Sequence, residues 1–138
     1  MGTKEAPQAF IALKNTEKDH LGPEIQKVIT VLTEFNITPL VFACYYKFDG
    51  DAQEMMQLAL GHVINSDLLF AFVNKKAIGV GIEMGVAFAH EIPIVIIRQS
   101  ECPPSNSASG ICSHEIVYED LEDLERQMHA FCKNFPQE

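Results

Sequence analysis

Apolar residues in this chain follow two alternating rhythms, short unbroken runs and stripes at helical spacing, which predict strands alternating with helices. Ala9 to Leu13 is the first short run and reads as a strand. From Leu21 to Phe35, Ile25, Val28, Ile29 and Leu32 recur at helical spacing behind Gly22-Pro23, a proline tolerated in a first turn. Thr38 to Ala43 is a second strand, and a stripe of Ala52, Met55, Met56, Ala59, Leu60 and Val63 places a second helix over 51–65. Residues 67–73 make a third strand and 79–90 a third helix. Pro93 opens a fourth strand, Ile94-Val95-Ile96-Ile97, whose continuous β-branched character suits a sheet covered on both faces. The stretch 99–113, rich in Ser, Pro and Gly, breaks the pattern and reads as a long loop, functional or mobile. Glu115 to Tyr118 is a short fifth strand and Leu121 to Phe131 a closing helix.

Five strands with intervening helices predict an α/β, flavodoxin-like three-layer sandwich with a five-stranded parallel sheet in the order 2-1-3-4-5. Ligands of such sheets bind beyond the carboxyl ends of the strands, near the switch between strands one and three. Asn15 and Asn74, which follow those two strands, are therefore candidate ligand contacts. With 138 residues and 47% hydrophobic content, residues 9–138 are expected to form one domain, with 1–8 a disordered or extended tail.

A net charge of −9 argues against a nucleic-acid polymer as partner but not against a small phosphorylated ligand held by backbone amides. No apolar run is long enough to cross a bilayer, and Met1 to Gln8 lacks the layout of a signal peptide, so no membrane partner is expected. Cys44, Cys102, Cys112 and Cys132 form no Cys-x-x-Cys pair and fit reduced thiols in a cytoplasmic protein. The five histidines are scattered without metal-ligand spacing, so neither a metal nor another cofactor is expected.

Common ligand classes of this architecture fail at the strand ends. A response regulator needs acidic residues after strand one and an Asp after strand three, where Leu13-Lys14-Asn15 and Val73-Asn74 stand. Lys14 to Asp19 is not a flavin phosphate loop, and the glycines at 79, 81 and 85 follow the third strand rather than the first. What remains is Gly79-Val80-Gly81-Ile82-Glu83-Met84-Gly85-Val86-Ala87, which places one carboxylate in the first turn of a predicted helix among small residues. The dipole of a helix start favours an ionised Glu83 and an anion beside it. Glycines there permit a close backbone approach, to a ligand or to the sheet. The bland reading of Glu83 is a carboxylate that only complements the dipole. Asp67 reads as a cap or turn residue, and Met55 and Met56 as core fillers.

That segment resembles the signature of the nucleoside 2-deoxyribosyltransferase superfamily, nearest to the deoxynucleoside monophosphate N-glycosidases typified by the Rcl protein. The likeness extends through Asn65-Ser66-Asp67-Leu68-Leu69 upstream and Pro93-Ile94-Val95-Ile96-Ile97-Arg98 downstream, with a weaker echo at Phe10-Ile11-Ala12. The resemblance implies that Glu83 attacks the anomeric carbon of a nucleoside or nucleotide, expels the base, and leaves a glycosyl-enzyme for water or a second base. Gly79 and Gly81 would give the close approach, and Arg98, at the carboxyl end of strand four, reads as an anion contact or, alternatively, as one half of a surface ion pair. The resemblance also implies a homodimer or higher homo-oligomer in which Ser107 reaches the partner's phosphate pocket. The chain departs from the family at Ala59, where members carry an acid, and at Ala77, where monophosphate-specific members carry a serine. Asp49, Asp51 and Glu54 are the nearest acids able to substitute. A non-catalytic nucleotide-binding member is the alternative these alanines raise.

Overall fold

A computed structural model describes residues 6–135. Five parallel strands, β1 (Gln8–Ala12), β2 (Thr38–Leu40), β3 (Leu68–Phe72), β4 (Ile94–Gln99) and β5 (His114–Tyr118), form one sheet in the order β2-β1-β3-β4-β5. The order expected from the sequence is the order observed. Of the expected N-terminal tail, residues 1–5 lie outside the described residues, and Gln8 already belongs to β1.

Alternation along the strands decides which helices cover which face. Ile11, Phe70, Val95, Ile97 and Ile116 point to one side, against Ile25, Val28 and Leu32 of α1 (Gly22–Glu34) and Leu124, Met128 and Cys132 of the last helix, Leu121–Asn134. Phe10, Ala12, Leu69, Ala71, Ile94 and Ile96 point to the other. There they meet Ala59 and Val63 of the helix Ala52–Ile64 and Val80, Met84 and Ala87 of the helix Ile78–Ala89. Every residue of β3 is buried, as a central strand between two helical layers requires. Truncating one of its large side chains, such as Phe70→Ala, removes packing worth about 3–5 kcal/mol.

Two short helices depart from the expected pattern. The predicted second strand stops at Leu40, and α2 (Phe42–Tyr45) follows, with buried Phe42 stacked between Phe10 and Tyr46. The long helices of this layer are then α3 (Ala52–Ile64) and α4 (Ile78–Ala89). Within the predicted loop 99–113 lies α5 (Asn106–Ile111), started by Ser105, whose side chain accepts from the Ala108 amide, and anchored by buried Ala108. The closing helix becomes α6 (Leu121–Asn134), capped by Asp120. Asp67 is a structural residue: it accepts from the Gln8 amide and donates its own N–H to the Gln8 carbonyl, each at 2.8 Å, stitching β1 to β3.

Candidate functional site

At the carboxyl ends of β1 and β3, on the face covered by α3 and α4, the chain encloses a cavity of about 740 Å³. This is the switch position where sheets of this order take ligands. The β1 end contributes Leu13, Lys14 and Asn15, and the segment after β3 contributes Lys76 to Val80. Phe42, Tyr46 and Phe48 form an aromatic side, Met55, Met56 and Ala59 of α3 an apolar wall, and Glu83 of α4 also lines the space.

Glu83 lies in the second turn of α4, not in the first as its sequence position suggests. The helix begins at Ile78, so Glu83 is its sixth residue, beyond the free amides of the first turn. The expected dipole-stabilised carboxylate is therefore corrected: burial pushes the Glu83 carboxyl up from 4.5 to about 7, and no neighbouring cation pulls it down. Among the described residues Glu83 has no side-chain hydrogen bond or ion pair. A half-buried carboxyl that folding leaves unpaired, on a cavity wall, is a candidate ligand contact.

Ala77 occupies the N-cap position of α4 with extended backbone and offers no capping oxygen. Ala77, Ile78, Gly79 and Val80, at the N-terminal end of α4, line the cavity. A Cβ built at Gly79, Gly81 or Gly85 would meet nothing within 4 Å, so tight packing of this helix on the sheet does not explain these glycines. Gly79 lines the cavity, whereas Gly81 and Gly85 are exposed on the outer side of α4.

The cavity lining is also cationic. Of the ten lysines and arginines of this acidic chain, Lys14, Lys18, Lys47 and Lys76 line it, and Glu83 is the single carboxylate among its lining residues. Lys18 donates to the Ala43 carbonyl at 3.5 Å, and none of the four forms an ion pair among the described residues. Partial desolvation, and then Asp49, Glu54 and Asp51, hold the Tyr46 phenol above its usual value. Its ring stacks on Phe42 at 4.9 Å between centroids, inclined by 13°.

Of the residues singled out from the sequence, Glu83, Asn15 and Gly79 come together here. The other ligand candidates do not line the cavity. Asn74 is a brace, its Oδ1 accepting from the Gln99 amide at 2.7 Å and its Nδ2 donating to Tyr118 at 3.3 Å. Arg98 donates to the Cys102 carbonyl at 2.6 Å and lies 3.6 Å from Glu115, so its charge is spent holding the segment after β4. Ser107 is exposed on α5. Asp51 accepts from the Glu54 amide to cap α3, and neither it, Asp49 nor Glu54 lines the cavity. Met55, expected as core, packs against the core and also lines the cavity, and Met56, expected as core, is half-buried cavity wall.

Lys18, Lys47, Lys76, Tyr46 and Phe48 also line the cavity and were not among the residues expected there. The aromatic–basic run Tyr45-Tyr46-Lys47-Phe48 is the sequence feature from which some of them could have been found. Among the described residues no group of three or more His, Cys, Asp or Glu converges to hold a metal ion, and no helix is long and apolar enough to cross a membrane.

No family model and no curated protein matches the sequence. Solved structures do. A 2-deoxyribosyltransferase from Bacillus psychrosaccharolyticus superposes with a TM-score of 0.69 at 14% identity, over 91% of this chain and 95% of that one. The CMP N-glycosidase BcmB of Clostridium botulinum gives 0.65 at 17%, over 90% and 98%. A 2-deoxyribosyltransferase from Leishmania mexicana gives 0.63 at 11%, over 94% and 99%. The chain has the fold of the nucleoside 2-deoxyribosyltransferases, five parallel strands in the order 2-1-3-4-5 between two helical layers.

Proposed function

We propose that this protein is a nucleoside 2-deoxyribosyltransferase-like enzyme that breaks the N-glycosidic bond of a nucleoside or nucleoside monophosphate, with Glu83 as nucleophile. The observation that carries this reading is an unpaired, half-buried carboxyl on the wall of a cavity at the strand switch point. Support comes from the shared fold with two deoxyribosyltransferases and a CMP N-glycosidase. A Glu83 carboxylate oxygen attacks C1′ of the pentose. The C1′–N bond breaks with its electron pair going to the base nitrogen, which takes a proton from solvent. Water then adds to C1′ and releases a proton, and the C1′–O bond to Glu83 breaks, returning the carboxylate; a second base in place of water gives transfer. The Phe42–Tyr46 stack offers a flat aromatic surface beside the cavity, suited to a nucleobase.

With Ala at position 59, no side chain of α3 holds an acid against the departing base, which argues for slow turnover, since general acids contribute roughly 10²–10⁴-fold. The competing reading, a nucleotide-binding protein without turnover, draws on the same alanine. The two separate in one assay. Nucleosides and their 5′-monophosphates are incubated with the protein and free base is followed by chromatography. We expect release that drops by about 10³-fold or more in Glu83→Gln. Binding without release in the wild type, or release that survives Glu83→Gln, overturns the catalytic reading.

A further inference from the structure

We infer that the four lysines of the cavity form a polyanion subsite that selects a nucleotide with a di- or triphosphate tail over a monophosphate. The inference rests on the proposed nucleotide site and extends it to substrate class. A phosphomonoester brings at most about two negative charges at neutral pH. Lys14, Lys18, Lys47 and Lys76 bring four positive ones, and the cavity lining offers them one carboxylate. Four of the ten lysines and arginines of this acidic chain gather in the cavity lining, while Asp49, Asp51 and Glu54, which act on Tyr46, stay outside that lining.

The lysines also come from separate segments. Lys14 and Lys18 follow β1, Lys47 lies between α2 and α3, and Lys76 precedes α4. One phosphate group accepts from only a few donors at once, so four cations drawn from three separate segments match a chain of phosphates better than one. The cavity, at about 740 Å³, lies in the upper part of the ~300–1,000 Å³ range of ligand sites. A nucleotide carries its phosphates through C5′, away from the anomeric carbon, so one ligand presents separate groups to the lysines and to Glu83 of this lining.

The test is calorimetric titration of the full chain, in magnesium-free buffer, with cytidine, its mono-, di- and triphosphate, and inorganic tripolyphosphate. The Glu83→Gln protein serves for titration so that nothing is consumed, and base release is measured separately in the wild type. We expect affinity to rise at each added phosphate, at least tenfold from mono- to triphosphate. Tripolyphosphate should compete, and the gain should collapse in Lys14→Gln/Lys47→Gln/Lys76→Gln, whose fold is checked by circular dichroism. Equal affinity across the series, a monophosphate optimum, or a rise that survives the lysine replacements overturns the inference. A rise without base release sinks the catalytic reading while leaving this one standing. Release with a monophosphate optimum does the reverse.

Discussion

If Glu83 is the nucleophile proposed above, one proton sets activity and stability against each other there. Its carboxyl ionises at about 7 in the folded protein against an ordinary 4.5, because burial penalises the charge. The folded state therefore binds the proton more tightly than the unfolded chain. The stability this group contributes is fully present below about 4.5 and is lost as the pH rises through about 7. Glu83→Gln, which cannot ionise, should leave the melting temperature at pH 4 nearly unchanged and raise it at pH 8. The gain corresponds to roughly 1–3 kcal/mol, because each tenfold difference in proton affinity between the folded and unfolded carboxyl is worth about 1.36 kcal/mol. Thermal unfolding of both proteins at both pH values measures it; a variant less stable than wild type at pH 8 would show that the carboxylate is paired after all. Base release has the opposite slope. Attack needs the ionised form, so kcat/KM should climb between pH 6 and 8 with an apparent pKa near 7. A flat profile across that window would remove Glu83 from the nucleophile's role.

Elements, more than single residues, were legible in the sequence, and their physics says why. Leu68–Phe72 is buried on both faces, so its unbroken apolar run could be little else than a central strand. The helical stripes of α1 and α3 face cores on opposite sides of the sheet, and their spacing announced them. Short elements hid. The turn of α5 depends on the Ser105 cap and one buried alanine, a weak signal inside a run rich in Ser and Pro. Glu83 sits past the first turn of α4 and is half-buried, and burial, which patterning did not reveal, sets its electrostatics. The lysines were not legible, because only the parallel topology brings positions 14, 47 and 76 to one opening. Helix ends also carry strain that patterning cannot reveal. After α1 the left-handed position is filled by Asn36 (φ 61°), a residue that tolerates it, but after α4 it is filled by Glu91 (φ 60°). In both turns the next amide reaches back into the helix, Ile37 to the Leu32 carbonyl and Ile92 to the Ala87 carbonyl. Glu91→Gly should relieve the second turn and stabilise the protein by roughly 0.5–1 kcal/mol, read as a higher denaturation midpoint at constant slope. A loss of stability would mean that the Glu91 side chain contributes more than its backbone costs.

For the molecule as a whole, the outer surface of α4 is the feature its own fold leaves unexplained. Ile78 is 84% exposed, Phe88 56% and Ile82 44%, and Gly81 and Gly85 on the same helix present bare backbone. Leu58 of neighbouring α3 is exposed too. Large apolar side chains concentrated on one helix layer, beside glycines that admit close approach, suit a second copy of the chain better than water. Ile78 also lines the cavity, so a subunit docked on this face would cover its rim and restrict the solvent reaching Glu83. We therefore expect a homodimer through α4, with sedimentation velocity giving twice the mass of the 15.4 kDa chain. Phe88→Glu combined with Ile82→Glu places carboxylates on the shared face without touching the cavity lining. The double variant should sediment as a monomer, keep its circular dichroism, and lose base release in step with dissociation. A wild-type monomer at concentrations where base is released would show that one chain suffices and that the exposed face serves something else. A double variant that stays dimeric would place the interface on another surface.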